Sequence, residues 1–189
     1  VDFATFSGHK FHAVRGVGFV YKKAGKKITP FLTGGGQEKD LRSTTENVAG
    51  IASMAKALRL VTDKEEFSLP KIAKMKKIIF DELAKYEDIT IFSGEGEDFA
   101  PNILTFGIKG VRGEVVVHAF EEHQIYISTT SACSSKAGKP AGTLISMGIP
   151  TKLAQTAVRI SLDDDNDMGQ VEQFLTIFKQ VYAKTQKVR

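Results

Sequence analysis

The residues Val1-Asp2-Phe3-Ala4-Thr5-Phe6 alternate apolar and polar positions from the first residue, which predicts a strand. Ser7-Gly8-His9-Lys10 breaks it with small and polar residues. Residues 17–21 form a second β-rich run, followed by a basic turn at 22–27, so a strand-turn-strand unit is expected. Gly34-Gly35-Gly36-Gln37 is a segment whose backbone can approach its surroundings closely. Residues 45–60 turn helical, with Val48, Ile51, Ala52, Ala55 and Leu58 at helical spacing. Residues 63–69 read as a polar connection and a boundary, with a new helix starting at Ser68 and Pro70.

Beyond that boundary, Ile72, Met75, Ile79, Leu83 and Tyr86 mark one helical face. Strands are expected at 89–92, 103–108, 125–128 and 158–162, and a helix at 115–123. Residues 93–101 form a loop rich in glycine and acid, and 128–142 are the least patterned stretch. Two short helices are expected at 144–147 and 152–157. Asn166 or Asp167 can cap a last helix whose apolar face is Val171, Phe174, Leu175, Phe178 and Val181. This order predicts an α+β layer, mostly antiparallel, with helices packed on one face.

Composition leaves this picture intact. The chain has 189 residues, 42% hydrophobic and 25% charged, which excludes a disordered tail, a collagen and a coiled coil. The apolar runs are too short for a membrane-spanning helix, and no leader is visible at the start. Cys133 is the single cysteine, so no internal disulfide forms and a reducing, cytoplasmic setting is expected. A chain that starts in mid-strand leads us to expect missing upstream sequence. Charge is uneven: residues 1–59 carry a net +6 and residues 60–189 a net −2. A basic front part points to an anionic ligand.

Three residues stand out chemically. Lys10 follows a strand and the small residues Ser7 and Gly8; such a lysine is either a surface charge or an amine that attacks an aldehyde. Ser7 and His9 beside it can donate to an anionic group. Cys133 lies in Thr129-Thr130-Ser131-Ala132-Cys133-Ser134-Ser135, which lacks a core pattern, and Lys136 and Lys139 favour its thiolate. Arg159 stands in an otherwise apolar strand. It is either the outward residue of an alternating strand or a clamp for a substrate carboxylate. The four histidines and the cysteine show no metal-ligand spacing, and Gly34-Gly35-Gly36 lacks the ending of a phosphate loop. The basic front part lacks interleaved aromatics, so no direct nucleic-acid contact is expected.

Together these pieces resemble the cysteine desulfurase family, within the class V aminotransferases that use pyridoxal 5'-phosphate. Ser7-Gly8-His9-Lys10-Phe11-His12 resembles the family's lysine motif. Gly34-Gly35-Gly36-Gln37-Glu38, then Leu41-Arg42-Ser43-Thr44-Thr45-Glu46-Asn47, resembles its Gly-Gly-Gly-Gln-Glu and Arg-Ser-Gly-Thr-Glu-Asn stretch. Ser131-Ala132-Cys133-Ser134-Ser135 resembles its catalytic-cysteine loop, and Val158-Arg159-Ile160-Ser161-Leu162 its carboxylate-arginine strand. The sequence departs from the family at His12-Ala13-Val14-Arg15-Gly16, at Thr44 in place of glycine, and at Asp163 in place of a frequent glycine.

The resemblance implies a role for each residue. Lys10 would carry the cofactor as a Schiff base and move protons on the substrate. Ser7 and His9 would hold the cofactor phosphate, and Thr45 would reach the phosphate in the other subunit of a homodimer. Arg159 would bind the carboxylate of L-cysteine. Cys133 would take the substrate sulfur as a persulfide, leave alanine, and pass the sulfur to an iron–sulfur scaffold or tRNA-thiolation protein. The resemblance also implies the type I fold of pyridoxal-phosphate transferases. Residues 1–62 would be the end of the large cofactor domain, and 63–189 the small domain with the cysteine loop. The family's ring-stacking histidine, its aspartate facing the ring nitrogen and its phosphate-binding turn precede the lysine motif. A C-terminal part without them is expected to hold cofactor weakly and to be inactive alone. The rival readings are another class V enzyme, acting on selenocysteine or as an aminotransferase, and a non-catalytic interaction domain.

Overall fold

Two antiparallel strands open the chain, β1 (Phe3–Ser7) and β2 (Gly18–Lys22), with Phe3 opposite Lys22 and Ser7 opposite Gly18. A Cβ on Gly18 would collide with the carbonyl oxygen of Phe6, so only glycine lets the strands approach there. The computed structural model describes residues 1–96, 98–129 and 142–186. The chain divides into two compact units, Val1–Glu66 and Phe67–Arg189.

Within the first unit, β1 runs into a 3-10 turn (Gly8–Phe11) that ends at His12 in the left-handed region, at φ 70°. Phe6 and Phe19, paired across the strands, stack with centroids 4.6 Å apart, and Phe11 meets Phe19 edge-on at 6.3 Å. The helix α1 (Val48–Leu83) begins here, capped by Asn47, whose Oδ1 accepts from the Gly50 N–H at 3.0 Å.

The polar break expected at 63–69 is helical instead: α1 runs for 36 residues through both Ser68 and Pro70. Asp63-Lys64-Glu65-Glu66 is polar but rich in good helix formers, so polarity there marks an exposed helical stretch rather than a loop. Pro70 lacks the N–H that the Glu66 carbonyl would accept, and the two units part immediately after Glu66.

The second unit holds a four-stranded antiparallel sheet in the order β3-β4-β6-β5. Its strands are β3 (Ile89–Ile91), β4 (Ile103–Ile108), β5 (Ser128–Thr129) and β6 (Ala157–Ser161). Leu104, Phe106 and Ile108 alternate toward one face of β4, as do Val158 and Ile160 of β6. Against that face pack Met75, Ile79 and Leu83 of α1, Val116 and Phe120 of α2 (Gly113–Glu121), and Phe174 and Phe178 of α5 (Met168–Gln186). The opposite face carries a smaller cluster, in which Phe92 and Ala157 meet Leu144 of α3 (Gly142–Ser146) and Ala154 of α4 (Thr151–Ala154).

The strand expected at 125–128 is shorter and later. Gln124 takes a left-handed φ of 60° and the Ile125 N–H returns to the Phe120 carbonyl, so the chain is still leaving α2 there. At the start of α5, Asp167 is the cap. Its Oδ1 accepts from the Gln170 N–H at 2.9 Å, while Gln170 Oε1 accepts from the Asp167 N–H at 3.2 Å, a reciprocal capping box. Among the described residues no helix is long and apolar enough to cross a membrane.

Glu82 links α1 to α5. It pairs with Lys85 at 2.6 Å and with Lys179 at 3.2 Å, and its own side chain is mostly covered. The hydrogen bond from Lys85, then the Lys179 contact, holds its carboxyl below the usual carboxylate range against the opposing effect of burial. A group with a depressed folded pKa stabilises above its unfolded pKa and loses that effect as pH falls through the folded one. Glu82→Gln should therefore lower the urea midpoint at pH 7, and the gap to the parent chain should close as pH drops below about 4.3. Phe178→Ala, which empties the centre of the core, should cost about 3–5 kcal/mol in the same titration.

Candidate functional site

Ser7, His9 and Lys10 lie within four consecutive residues at the end of β1. Gly8 builds the turn. It is buried, its N–H donates to the Val17 carbonyl at 2.9 Å, and a Cβ there would stand 2.9 Å from that same oxygen. The backbone is thus drawn against β2, and the following side chains are presented outward. His9 and Lys10 are both exposed. Among the described residues, no hydrogen bond or ion pair engages the side chains of Ser7, His9 or Lys10. A hydroxyl, an imidazole and an amine on one stiff turn can hold an anionic group and present a nucleophile to a carbonyl beside it.

Thr45 lies in the same unit, on the exposed segment leading into α1, where Asn47 performs the capping. The preceding motif is tightly wound. Glu38, Lys39 and Asp40 all take left-handed φ angles of 52–63°, and Asp40 N–H returns to the Gly36 carbonyl at 3.1 Å. Gln37 Oε1 is buried there with no hydrogen-bond partner among the described residues.

Arg159 belongs to the second unit, at the middle of β6, with Thr105 of β4 opposite it on one side and Ser128 of β5 on the other. Strand alternation turns it away from the face that buries Val158 and Ile160. Its Nε is buried and has no hydrogen-bond partner among the described residues. Leaving such a donor unpaired costs about 1–3 kcal/mol, which an anionic oxygen in the right place would recover. β5 ends at Thr129, so the strand that pairs with Arg159 leads toward Cys133. Cys133 itself lies outside the described residues.

Two side chains of the second unit were not singled out in the sequence. Ser93 Oγ accepts from the Thr105 N–H at 2.8 Å, and the loop it begins is held by a lysine. Lys76 Nζ donates to the carbonyls of Gly94, at 3.2 Å, and Ala100, at 2.9 Å. Burial lowers the Lys76 pKa, with the Glu95 charge acting against that shift. Its sequence signal was its place: it falls four residues after Ile72 and three before Ile79, on the apolar face of the helix. Ser93 carries no such signal, because its partner is a backbone amide twelve residues away.

A family model described as Aminotransferase class-V matches residues 1–174. Over 188 residues the chain is 46% identical to a NifS/IcsS protein homolog of Lactobacillus delbrueckii subsp. bulgaricus, covering all of this chain and 49% of the relative. It is 33% identical to the cysteine desulfurase IscS of Dictyoglomus turgidum, over 86% of this chain and 41% of that protein. Among solved structures, a NifS-like protein from Rickettsia africae superposes with a TM-score of 0.82 at 32% identity, over 97% of this chain and 48% of its own. Another NifS-like protein superposes with a TM-score of 0.80 at 31% identity, over 97% of this chain and 46% of its own. The chain spans about half the length of the curated relatives it matches.

A side chain kept for a ligand at the expense of stability leaves a measurable signature. Arg159→Met removes the unpaired donor and should raise the urea unfolding free energy of the chain by about 1–2 kcal/mol with an unchanged m-value. Acetate should raise the thermal midpoint of the parent chain more than that of the variant. Equal or lower stability of Arg159→Met would show that the guanidinium is already satisfied.

Proposed function

The chain belongs to the class V aminotransferase family, and from that membership we propose that it forms part of a pyridoxal-phosphate-dependent cysteine desulfurase. The observation that carries the reading is Arg159: a buried guanidinium nitrogen, without a hydrogen-bond partner among the described residues, on the strand paired with the one leading to the chain's single cysteine. The names of the relatives support the same activity. The activity is proposed for the assembled protein at the relatives' length. Residues 1–62 would contribute to the cofactor domain and residues 63–189 would form the domain that carries the cysteine.

The residues of the Lys10 turn fit the cofactor by their chemistry. Lys10 offers an amine for the aldehyde, and Ser7 and His9 offer donors for the phosphate; Thr45 would serve the phosphate of a partner subunit. When bound, pyridoxal phosphate supplies an electron sink for bonds at the substrate's carbons. The protein does the rest. Arg159 takes the substrate carboxylate in a two-pronged contact and orients the molecule. Lys10, as a free amine, would move protons at the substrate carbons. Cys133 attacks the substrate sulfur as a thiolate: its S–S bond forms as the substrate C–S bond breaks. The electron pair of that C–S bond ends on carbon, which is protonated to give alanine. The products are alanine and a cysteine persulfide, with no outside oxidant. Cys133 follows Thr129 by four residue steps, a span of at most about 14 Å when extended, so the thiol's range is tethered to the sheet that holds Arg159. Persulfide sulfur would then pass to an acceptor protein of iron–sulfur or thionucleoside synthesis, in the cytoplasm.

The test is a graft. This chain replaces the matching half of the Lactobacillus relative, and alanine and transferable sulfur are measured from L-cysteine. Lys10→Ala should abolish both alanine release and cofactor absorbance. Arg159→Ala should raise KM by at least about tenfold, and Cys133→Ala should reduce both products by about 100-fold or more. Alanine release unchanged in Cys133→Ala would remove sulfur attack from the reading.

A further inference from the structure

Thr105 of β4 stands opposite Arg159 in the sheet, and its backbone decides how the two meet. A residue in an antiparallel strand points its N–H and its carbonyl to the same side. Those of Thr105 point toward β3. The N–H donates to Ser93 Oγ at 2.8 Å, and the carbonyl accepts from the Phe92 N–H at 2.8 Å and the Ser93 N–H at 3.4 Å. Thr105 and Arg159 therefore form a pair without hydrogen bonds between its members, with Cα atoms about 4.5 Å apart and side chains at their closest. Thr105 is buried, so a covered threonine side chain stands beside the stem of Arg159.

An unbroken β3–β4 ladder would offer the Thr105 N–H the carbonyl of Phe92; the Ser93 hydroxyl takes that place. Phe92 and Ser93 together face one residue, a bulge where the chain leaves β3. One side chain thus completes the ladder at the register position of Arg159. The next residues are held as well. A Cβ on Gly94 would collide with the Phe99 ring. Lys76, itself buried, donates to the carbonyls of Gly94 and Ala100. Burying an ammonium is costly unless such bonds offset it.

We propose that Ser93 is a positioning residue for a small carboxylate: acting through Thr105, it sets the direction of the Arg159 guanidinium, and the Lys76 clamp keeps Ser93 in place. The proposal rests on the reading of Arg159 as a carboxylate clamp and adds the residue that aims it. Without the Ser93 hydroxyl, the Thr105 N–H loses its acceptor and β4 loosens opposite Arg159. The guanidinium then departs from the one direction that meets both oxygens of a carboxylate. Affinity falls, while the proton transfers assigned to Lys10 are unaffected.

The experiment reads Arg159 itself. In nitrogen-labelled chain, the Nε–H resonance of Arg159 is assigned by its loss in Arg159→Met and followed during an acetate titration. In Ser93→Ala it should shift before any acetate is added, and the acetate Kd should rise at least about fivefold. Ser93→Thr keeps the hydroxyl and should restore both. Lys76→Met, which keeps the length of the side chain but not its bonds, should shift the resonance in the same direction. Ile79→Val, a core truncation on the same helix, should lower the unfolding midpoint and leave resonance and Kd unmoved. In the grafted enzyme, Ser93→Ala should raise KM for L-cysteine about fivefold with kcat within about twofold. An Arg159 resonance that stays in place in Ser93→Ala would overturn the proposal. So would the same shift in Ile79→Val, a Ser93→Thr chain no better than Ser93→Ala, or a fall in kcat at constant KM. If Ser93→Ala does not fold, an unmoved resonance in Lys76→Met overturns it instead. A parent resonance that ignores acetate would strike the carboxylate reading of Arg159, while the unliganded shift still reports whether Ser93 aims the guanidinium.

Discussion

Arg159 stands opposite Thr105, and that register position sorts β4 and β6 into two chemically different faces. Leu104, Phe106, Val158 and Ile160 fall on the side that three helices cover. Arg159 falls on the other, with Ser128 beside it. A slip of one residue would turn Val158 and Ile160 outward and drive a guanidinium into the aromatic core. The packing of Phe174 and Phe178 therefore fixes the site indirectly. The core holds the register, and the register holds the arginine away from the core, with a buried Nε that has no hydrogen-bond partner among the described residues. Lys76 ties together the loop before β4, at Gly94 and Ala100.

The first unit works by close backbone approach rather than by burial. Gly18 brings β2 against the Phe6 carbonyl, and Gly8 draws the Lys10 turn against Val17. Stacked Phe6 and Phe19 stiffen the base of that turn. These contacts define local shape, but they remove little apolar surface from water, which is the dominant source of folding free energy. Presentation of Lys10 and cohesion of the unit are thus separate problems. The first is solved by the Gly8 turn, whereas for the second the unit buries only Ala13 and Ala57 among its apolar side chains.

Much of this was legible as pattern. The alternating run at 1–6, the strand expected at 103–108, the helical face from Ile72 to Leu83 and the face from Val171 to Val181 all correspond to elements of the structure. Asp167 was one of two candidate caps, and the reciprocal bond with Gln170 selected it. What failed was local inference where a long-range or conformational cause decides. Polar residues at 63–69 looked like a linker because exposure on a helix and exposure in a loop leave the same composition. The strand at 125–128 was placed early because a left-handed residue, Gln124, carries no hydrophobic signature. Ser93 stayed hidden because its partner is a backbone amide.

The sequence by itself determined most of the elements, their mostly antiparallel α+β order and the identity of the chemical groups at Ser7, His9, Lys10, Thr45, Cys133 and Arg159. These depend on short-range periodicity and on motif order, which a chain carries in one dimension. Tertiary structure decided that Arg159 faces away from the core with a buried nitrogen that has no partner among the described residues, and that Lys76 grips a loop. It also decided that residues 1–66 leave both faces of a ribbon open while residues 67–189 enclose a core. Burial and hydrogen-bond satisfaction are properties of what surrounds a side chain, and only the folded arrangement supplies the surroundings.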